Sequence, residues 1–448
     1  MNTLYTNFGV IGILFQYFSA YFLSLTKPTK LLLTWLIIGM LALENVSSIR
    51  HLYYHFLRRV CSKSLNSYYR ACATSNICHE TFLRVTTALA LSIVPAVLRK
   101  ESVFLCVDDT TVVKFGKKFD AVSILHDHAL HTGKPFVNGH CYVSLTLCVP
   151  VIDNVNGVPK ISYVVVPIGY QMWTKEKNKL VTAAEMIETI MPQFANFQVV
   201  VAFDSWYAKQ TFIRPLQRHG NVVMICNARH DTVMYDFPPN RSGKRGRPAK
   251  HGVRLSCADF KLCSRYKKYS VGHRQVLTNI FGNATVHAYV TETASGSRRL
   301  FFCTVNPVDI HLSFAWQADD NLNEVNSDNV ALCPLRLYAM RWNIETCYYE
   351  QKTFWGLCRY MVRRQAGIEN LLNLVNTAHS AMKILPYQTE MLKEYRGKSA
   401  QEVRFAISEQ IREQVFFAGL GEKVQTMKKS KGIVALLRRL MSQFCHAA

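Results

Sequence analysis

Between residues 102 and 226 the chain presents five strand-like runs in an order that few folds accept. Ser102–Val107 is an unbroken apolar run ending in Asp108-Asp109. After a polar stretch containing Gly and His comes a second run, His140–Ile152; a turn at Asn154–Pro159 leads to a third, Ile161–Gly169. Lys175–Phe194 has the 3.6-residue apolar period of a helix. A fourth run, Gln198–Phe203, ends in Asp204; Trp206–His219 reads as a helix and Asn221–Cys226 as a fifth strand. Three antiparallel strands followed by two crossovers can bring the first and fourth strands together at the centre of one sheet. Asp109 and Asp204 are then predicted at adjacent strand ends, far apart in sequence and close in space.

This order predicts an α/β fold: a ribonuclease H-like mixed sheet flanked by helices. Residues 1–98 read as a helical domain, with helices at Lys30–Glu44, Ser47–Cys61 and His79–Val97. Its basic residues Arg50, Arg58, Arg59, Lys63 and Arg70 make it a candidate for binding DNA ends. Residues 99–227 form the first part of the core and 334–385 the second. Between them, 228–333 reads as a mostly β insertion, with strands at Val253–Ser256, Tyr269–Val271, Thr285–Thr291 and Arg299–Val305. The insertion opens on a basic loop that carries Lys244, Arg245 and Arg247. Residues 386–448 read as a helical, basic tail.

The charge balance names the class of partner. Fifty-three basic residues face 30 acidic ones, a formal charge of +23, and 49% of the residues are hydrophobic. A chain of this kind folds, and its excess charge suits a polyanion, nucleic acid first, with affinity that falls as salt rises. The fourteen cysteines form no CxxC pair, so the reading is a reduced cytosolic protein without a disulfide framework or a zinc knuckle. His126, His128, His131, His140 and Cys141 match no common structural zinc spacing. Leu4–Leu25 lacks charge and is nearly long enough to cross a bilayer, yet it holds Asn7, Gln16, Ser19 and Ser24 and has no basic start. A helical domain is expected there, and no membrane.

The chemistry gathers in Tyr338–Lys352. On a helix, at about 100° per residue, Tyr338, Arg341, Glu345 and Lys352 fall within an arc of about 60°. One carboxylate between basic groups suits a metal ion that faces a phosphate backbone. Three carboxylates from separate elements are what a pair of magnesium ions needs for in-line displacement at phosphorus, and Asp109, Asp204 and Glu345 are the candidates. Asp108 rivals Asp109, because a one-residue slip swaps the faces of a strand. Glu350 points about 140° away from Glu345 and is not expected to replace it.

The spacing of Tyr338, Arg341, Glu345 and Lys352 resembles the YREK signature of a group of bacterial insertion-sequence transposases of the DDE class. Val107-Asp108-Asp109-Thr110-Thr111 and Val201-Ala202-Phe203-Asp204 are similar to the aspartate motifs of that group. The resemblance implies cut-and-paste transposition. The enzyme would bind the terminal inverted repeats of double-stranded DNA, pair two ends in a homodimeric synapse, cleave with two Mg2+ or Mn2+ ions, and join the 3′-hydroxyls to target DNA. Asp109, Asp204 and Glu345 would hold the metals; Tyr338, Arg341 and Lys352 would contact the backbone. It also implies a bacterial cytoplasmic, nucleoid-associated protein. Trp316 in the insertion, with Phe314 as rival, is the candidate to stack on a flipped base. Arg245-Gly246-Arg247-Pro248 resembles an AT-hook, which reads a narrow minor groove. The alternatives are a ribonuclease H-like nuclease that cuts without joining and an inactive DNA-binding relic.

Overall fold

The strand order read from the sequence is realised in a mixed sheet of twelve strands. The computed structural model describes residues 9–428 apart from 45, 47, 75–76, 117, 127–134, 156, 240–248 and 313–329. The strands are β1 (Val103–Val113), β2 (Ser123–His126), β3 (Phe136–Val155), β4 (Val158–Met172), β5 (Val199–Phe203) and β6 (Val222–Ala228). They are followed by β7 (Met234–Tyr235), β8 (Arg254–Leu255), β9 (Ser264–Tyr266), β10 (Tyr269–Thr278), β11 (Thr285–Glu292) and β12 (Arg298–Cys303).

At the centre β3 pairs antiparallel with β1 and with β4, while β5 lies parallel to both β1 and β6. The order β4-β3-β1-β5-β6 is the ribonuclease H-like arrangement. Every residue of β5 is buried, as a parallel strand covered on both faces requires.

Two sequence boundaries move. β1 does not stop before Asp108-Asp109. It runs on to Val113, because the β-branched Thr110-Thr111-Val112-Val113 continues a strand and β3 supplies a partner as far as Val113↔Gly139. The parallel partner is what ends: the β1–β5 register stops at Cys106↔Ala202. The second concerns Tyr338–Lys352, which is not one uniform helix. A helix over Cys333–Tyr338 tightens into a 3-10 turn over Ala339–Arg341 before the helix Trp342–Phe354. Backbone angles stay right-handed at Tyr338 and Arg341, so the path tightens without breaking.

Residues 234–303 supply β7–β12, and these strands extend the core sheet. β12 pairs antiparallel with β6, and β11, β10, β7 and β8 follow outward. Preceding the sheet are helices Gly9–Ser19, Lys27–Ala42, Leu65–Thr74 and His79–Ser92, with Ile49–Leu52 continuing through a π-turn at Tyr53–Leu57 into Arg58–Val60. Among the described residues no helix is long and apolar enough to cross a membrane.

The free edge of β4 is closed by side chains. Helix Gln365–Gln388 lies along it. Asn373 accepts from the Tyr170 N–H through Oδ1 and donates to the Tyr170 carbonyl through Nδ2, both at 2.9 Å. Asn376 and Ser380 both donate to the Pro167 carbonyl. These amides stand where another strand would pair, a way of blunting an edge. Gly169 in β4 admits this packing: a Cβ there would stand 2.8 Å from Leu83 of the His79–Ser92 helix. Asn373→Leu strips both bonds from a buried backbone unit and is expected to cost about 2–4 kcal/mol. The urea midpoint should fall while the far-UV circular dichroism is retained; an unchanged midpoint contradicts this role.

Candidate active site

Asp108 and Asp109 stand where β1 has outrun its parallel neighbour. Continuing the β1–β5 register two residues places Asp108 opposite Asp204, just past the end of β5. Asp204 is held by its own turn: Oδ1 accepts the backbone N–H of Trp206 at 3.0 Å and of Tyr207 at 3.3 Å. Asp108 Oδ1 accepts the Asp109 N–H at 2.8 Å, and Oδ2 accepts Arg341 Nη1 at 2.9 Å. The same guanidinium donates through Nη2 to Glu345 Oε1 at 2.6 Å. One cation thus bridges the first strand and the late helix. Burial, reinforced by the charge of Asp204, pushes the Asp108 carboxyl up to about 7, with Arg341 pulling the other way. Burial raises Asp204 as well, against the two backbone donors that lower it.

Asp109 points to the other side of β1, as alternation along a strand dictates. It pairs with Lys179 Nζ at 2.8 Å, and it accepts the Cys141 thiol and the Tyr207 hydroxyl, each at 3.2 Å. Lys179 opens the helix Lys179–Ile190 behind an Asn178 N-cap, and its ammonium lies 5.0 Å from the Trp206 ring centroid and 5.6 Å from that of Trp173. Neither Lys179 nor Tyr207 was singled out from the sequence. The N-cap of the first crossover helix was the available signal for Lys179.

Asp108, Asp204 and Glu345 supply oxygen donors from β1, from the end of β5 and from the Trp342–Phe354 helix; one guanidinium pairs with Asp108 and Glu345, and its field reaches Asp204. That chemistry fits a hard divalent cation. Among the described residues no three His, Cys, Asp or Glu side chains are gathered closely enough to hold one ion; the bridging guanidinium lies between two of the three carboxylates.

The helix that carries Glu345 is anchored through its later turns. Tyr348 is hydrogen-bonded to Ser144 of β3 at 2.6 Å, and Glu350 to His379 at 2.6 Å. Gln351 accepts from Tyr170 of β4 at 2.7 Å and donates to Asn376 at 3.1 Å. Lys352 donates to the Thr111 carbonyl of β1 at 3.2 Å. The Phe354 carbonyl accepts from Arg404 at 2.8 Å. Gly356, at φ 73°, turns the chain where a side chain would strike the Val46 carbonyl. Tyr338 packs against Phe301 of β12, its ring centroid 5.9 Å from the Arg341 guanidinium. Glu350 is held by His379, consistent with its expected direction away from Glu345.

His140 bonds the Tyr360 hydroxyl and the Asp120 carbonyl and serves the core; His126 is exposed. Lys244, Arg245, Arg247, Phe314, Trp316, His128 and His131 lie outside the described residues.

The raised Asp108 carboxyl makes stability depend on pH. An acid near 7 in the folded chain, against about 4 unfolded, adds stability below the unfolded value and loses it as pH rises through about 7. Asp108→Asn cannot ionise. It should therefore gain on the wild type by up to a few kcal/mol between about pH 5 and pH 8 without divalent ions. Urea midpoints across that range measure this, and a difference that stays flat contradicts it.

Comparison with curated proteins gives no match. Among solved structures, the cryo-EM structure of piggyBac transposase in a synaptic complex with hairpin DNA is similar at a TM-score of 0.42 and 10% identity, covering 92% of this chain and 80% of that one. The sequence model of the DDE superfamily endonucleases matches residues 24–271, more than half of the chain, including Asp108, Asp109 and Asp204. The chain belongs to the DDE endonuclease superfamily.

Proposed function

We propose that this endonuclease is a transposase of the YREK group, cutting double-stranded DNA at the ends of a mobile element and joining the freed 3′-hydroxyls to target DNA. The observation that carries the reading is the Asp108–Arg341–Glu345 bridge, with Asp204 beside Asp108 at the end of the neighbouring strand, in a chain with a charge of +23. Asp204 and Glu345 are the proposed second and third metal ligands. The guanidinium that Asp108 shares with Glu345 and the Asp108–Asp204 register support Asp108 as the first ligand in place of Asp109, whose carboxylate pairs with Lys179.

Bound there, one or two Mg2+ or Mn2+ ions would activate a water or 3′-hydroxyl and stabilise the leaving oxygen. The chain's own part is to position. Asp108 and Asp204 present oxygens from adjacent strands, and Glu345 adds a third from the helix anchored on β1, β3 and β4. Tyr338, Arg341 and Lys352, with Lys244, Arg245, Arg247 and Trp316 of the insertion, are the proposed contacts to the DNA once it is bound. A homodimer pairing two inverted repeats in a bacterial nucleoid completes the proposal.

The test uses a labelled transposon-end duplex with a free 3′-hydroxyl, plasmid target and Mg2+. The wild type should cleave the end and produce plasmid-joined product. Asp204→Asn and Glu345→Gln should lose both activities by roughly a thousandfold or more and keep DNA binding. Cleavage without joined product would reduce the function to that of a nuclease. Asp108→Asn should match the Glu345→Gln loss, whereas Asp109→Asn should retain measurable cleavage. The reverse ranking would return the first-ligand role to Asp109.

A further inference from the structure

Only 11% of the Arg341 side chain reaches solvent. Both of its terminal nitrogens are engaged with carboxylates, Nη1 with Asp108 and Nη2 with Glu345, while Nε has no partner. The rings of Tyr338 and Trp342 flank the guanidinium at 5.9 and 5.5 Å, and Asp204 lies within its field. Two carboxylates are therefore paired with one monovalent cation and a third lies in its field, whereas Asp109 has its own in Lys179. A guanidinium committed in this way is not presented to a phosphate.

We propose that Arg341 is the resident counterion of the carboxylate cluster, and that it and a divalent cation exclude each other at Asp108 and Glu345. This rests on the reading of Asp108, Asp204 and Glu345 as a metal site. A hard cation takes carboxylate oxygens at about 2.0–2.1 Å. Two positive groups sharing the same oxygens in a partly buried site repel strongly. As the carboxylates turn to the ion, the guanidinium is released. Its planar fork, with Nε already free, is then available for bidentate contact with a backbone phosphate. Arg341 in this scheme is a positioning residue that couples two ligands: each of metal and phosphate raises the affinity for the other, as linkage requires. A merely structural ion pair has the opposite signature, because removing it would disorder the carboxylates and weaken metal binding.

Mn2+ binding to the full-length protein, followed by loss of the free-ion electron paramagnetic resonance signal, tests this. Arg341→Met should bind Mn2+ on the order of tenfold more tightly than the wild type. Arg341→Lys, which keeps the charge without the fork, should fall between them. A saturating duplex oligonucleotide should tighten Mn2+ binding to the wild type and do so less for Arg341→Lys. An Arg341→Met protein with wild-type circular dichroism and equal or weaker Mn2+ affinity overturns the proposal. Should that variant fail to fold, an oligonucleotide that leaves wild-type Mn2+ affinity unchanged overturns it equally. Asp204→Asn serves as the separate control. If it leaves Mn2+ affinity untouched, the metal-site reading itself fails; if it abolishes binding while Arg341→Met changes nothing, only the counterion role fails.

Discussion

β1 is paired on both sides as far as Cys106 and on one side beyond it, and the rest of the site depends on this mismatch. A strand with two partners buries both faces in apolar side chains, and Val103–Val107 are all buried. Where the parallel partner ends, the antiparallel one still holds the backbone straight, so polar side chains can leave the sheet without the strand losing order. Asp108 and Asp109 occupy that step and leave on opposite faces. Asp204 arrives there because its strand ends, and the Arg341–Glu345 segment has room to approach because no strand occupies the space.

The approach of that segment is set by contacts with little slack. Tyr348, Glu350, Gln351, Lys352 and the Phe354 carbonyl each engage a different partner, on β3, β4, β1 and the two late helices. Several of these partners are fully buried polar groups, Gln351, Asn376 and His379 among them. A buried polar group is costly only when left unpaired, so the set resists both rotation and translation of the helix. Arg404 adds a longer tie. From the last long helix, Ala400–Lys428, it donates to the carbonyls of Leu43, Glu44 and Phe354 and lies 4.6 Å from the Trp355 ring centroid. The N-terminal helices, the Glu345 helix and the C-terminal helix thus converge on one side chain. The anchors hold the later turns of the Glu345 helix, while the Glu345 side chain, in the first turn, bonds only Arg341 among the described residues.

The topology was legible because core strands of a mixed sheet are apolar runs broken by turn residues, and five such runs with two crossovers leave few solutions. Their ends were less legible. Thr110 and Thr111 read as polar residues after a strand, but β-branching and the antiparallel partner carry β1 through them. The pairing of β12 with β6 could not be read at all, since antiparallel contact between segments so far apart leaves no local periodicity. Within the site, the spacing of Arg341 and Glu345 predicted a shared face, and the i, i+4 ion pair follows from it. Which aspartate joins them was beyond the pattern. Alternation says that Asp108 and Asp109 diverge, but the side each takes depends on the burial of Val107 and on Lys179 reaching across from another element.

That division of Asp108 from Asp109 has an electrostatic consequence. Lys179 pairs with Asp109 at 2.8 Å, and Asp109 acts on the Asp108 carboxyl less than burial or Asp204 does. Asp108 and Glu345 divide a single guanidinium whose field also reaches Asp204, and burial, reinforced by the charge of Asp204, raises the Asp108 carboxyl to about 7. A folded chain ordinarily relieves such a deficit with a second basic side chain, and this chain has many to spare, with 53 lysines and arginines. Supplying one here would lower the local repulsion, but it would also satisfy the oxygens that a divalent ion must find. The pairing of one aspartate and the under-neutralisation of its neighbour are therefore two parts of one arrangement. The paired residue stabilises the strand step, and the carboxylates that divide one guanidinium keep the oxygens that a divalent cation would take under the proposed function.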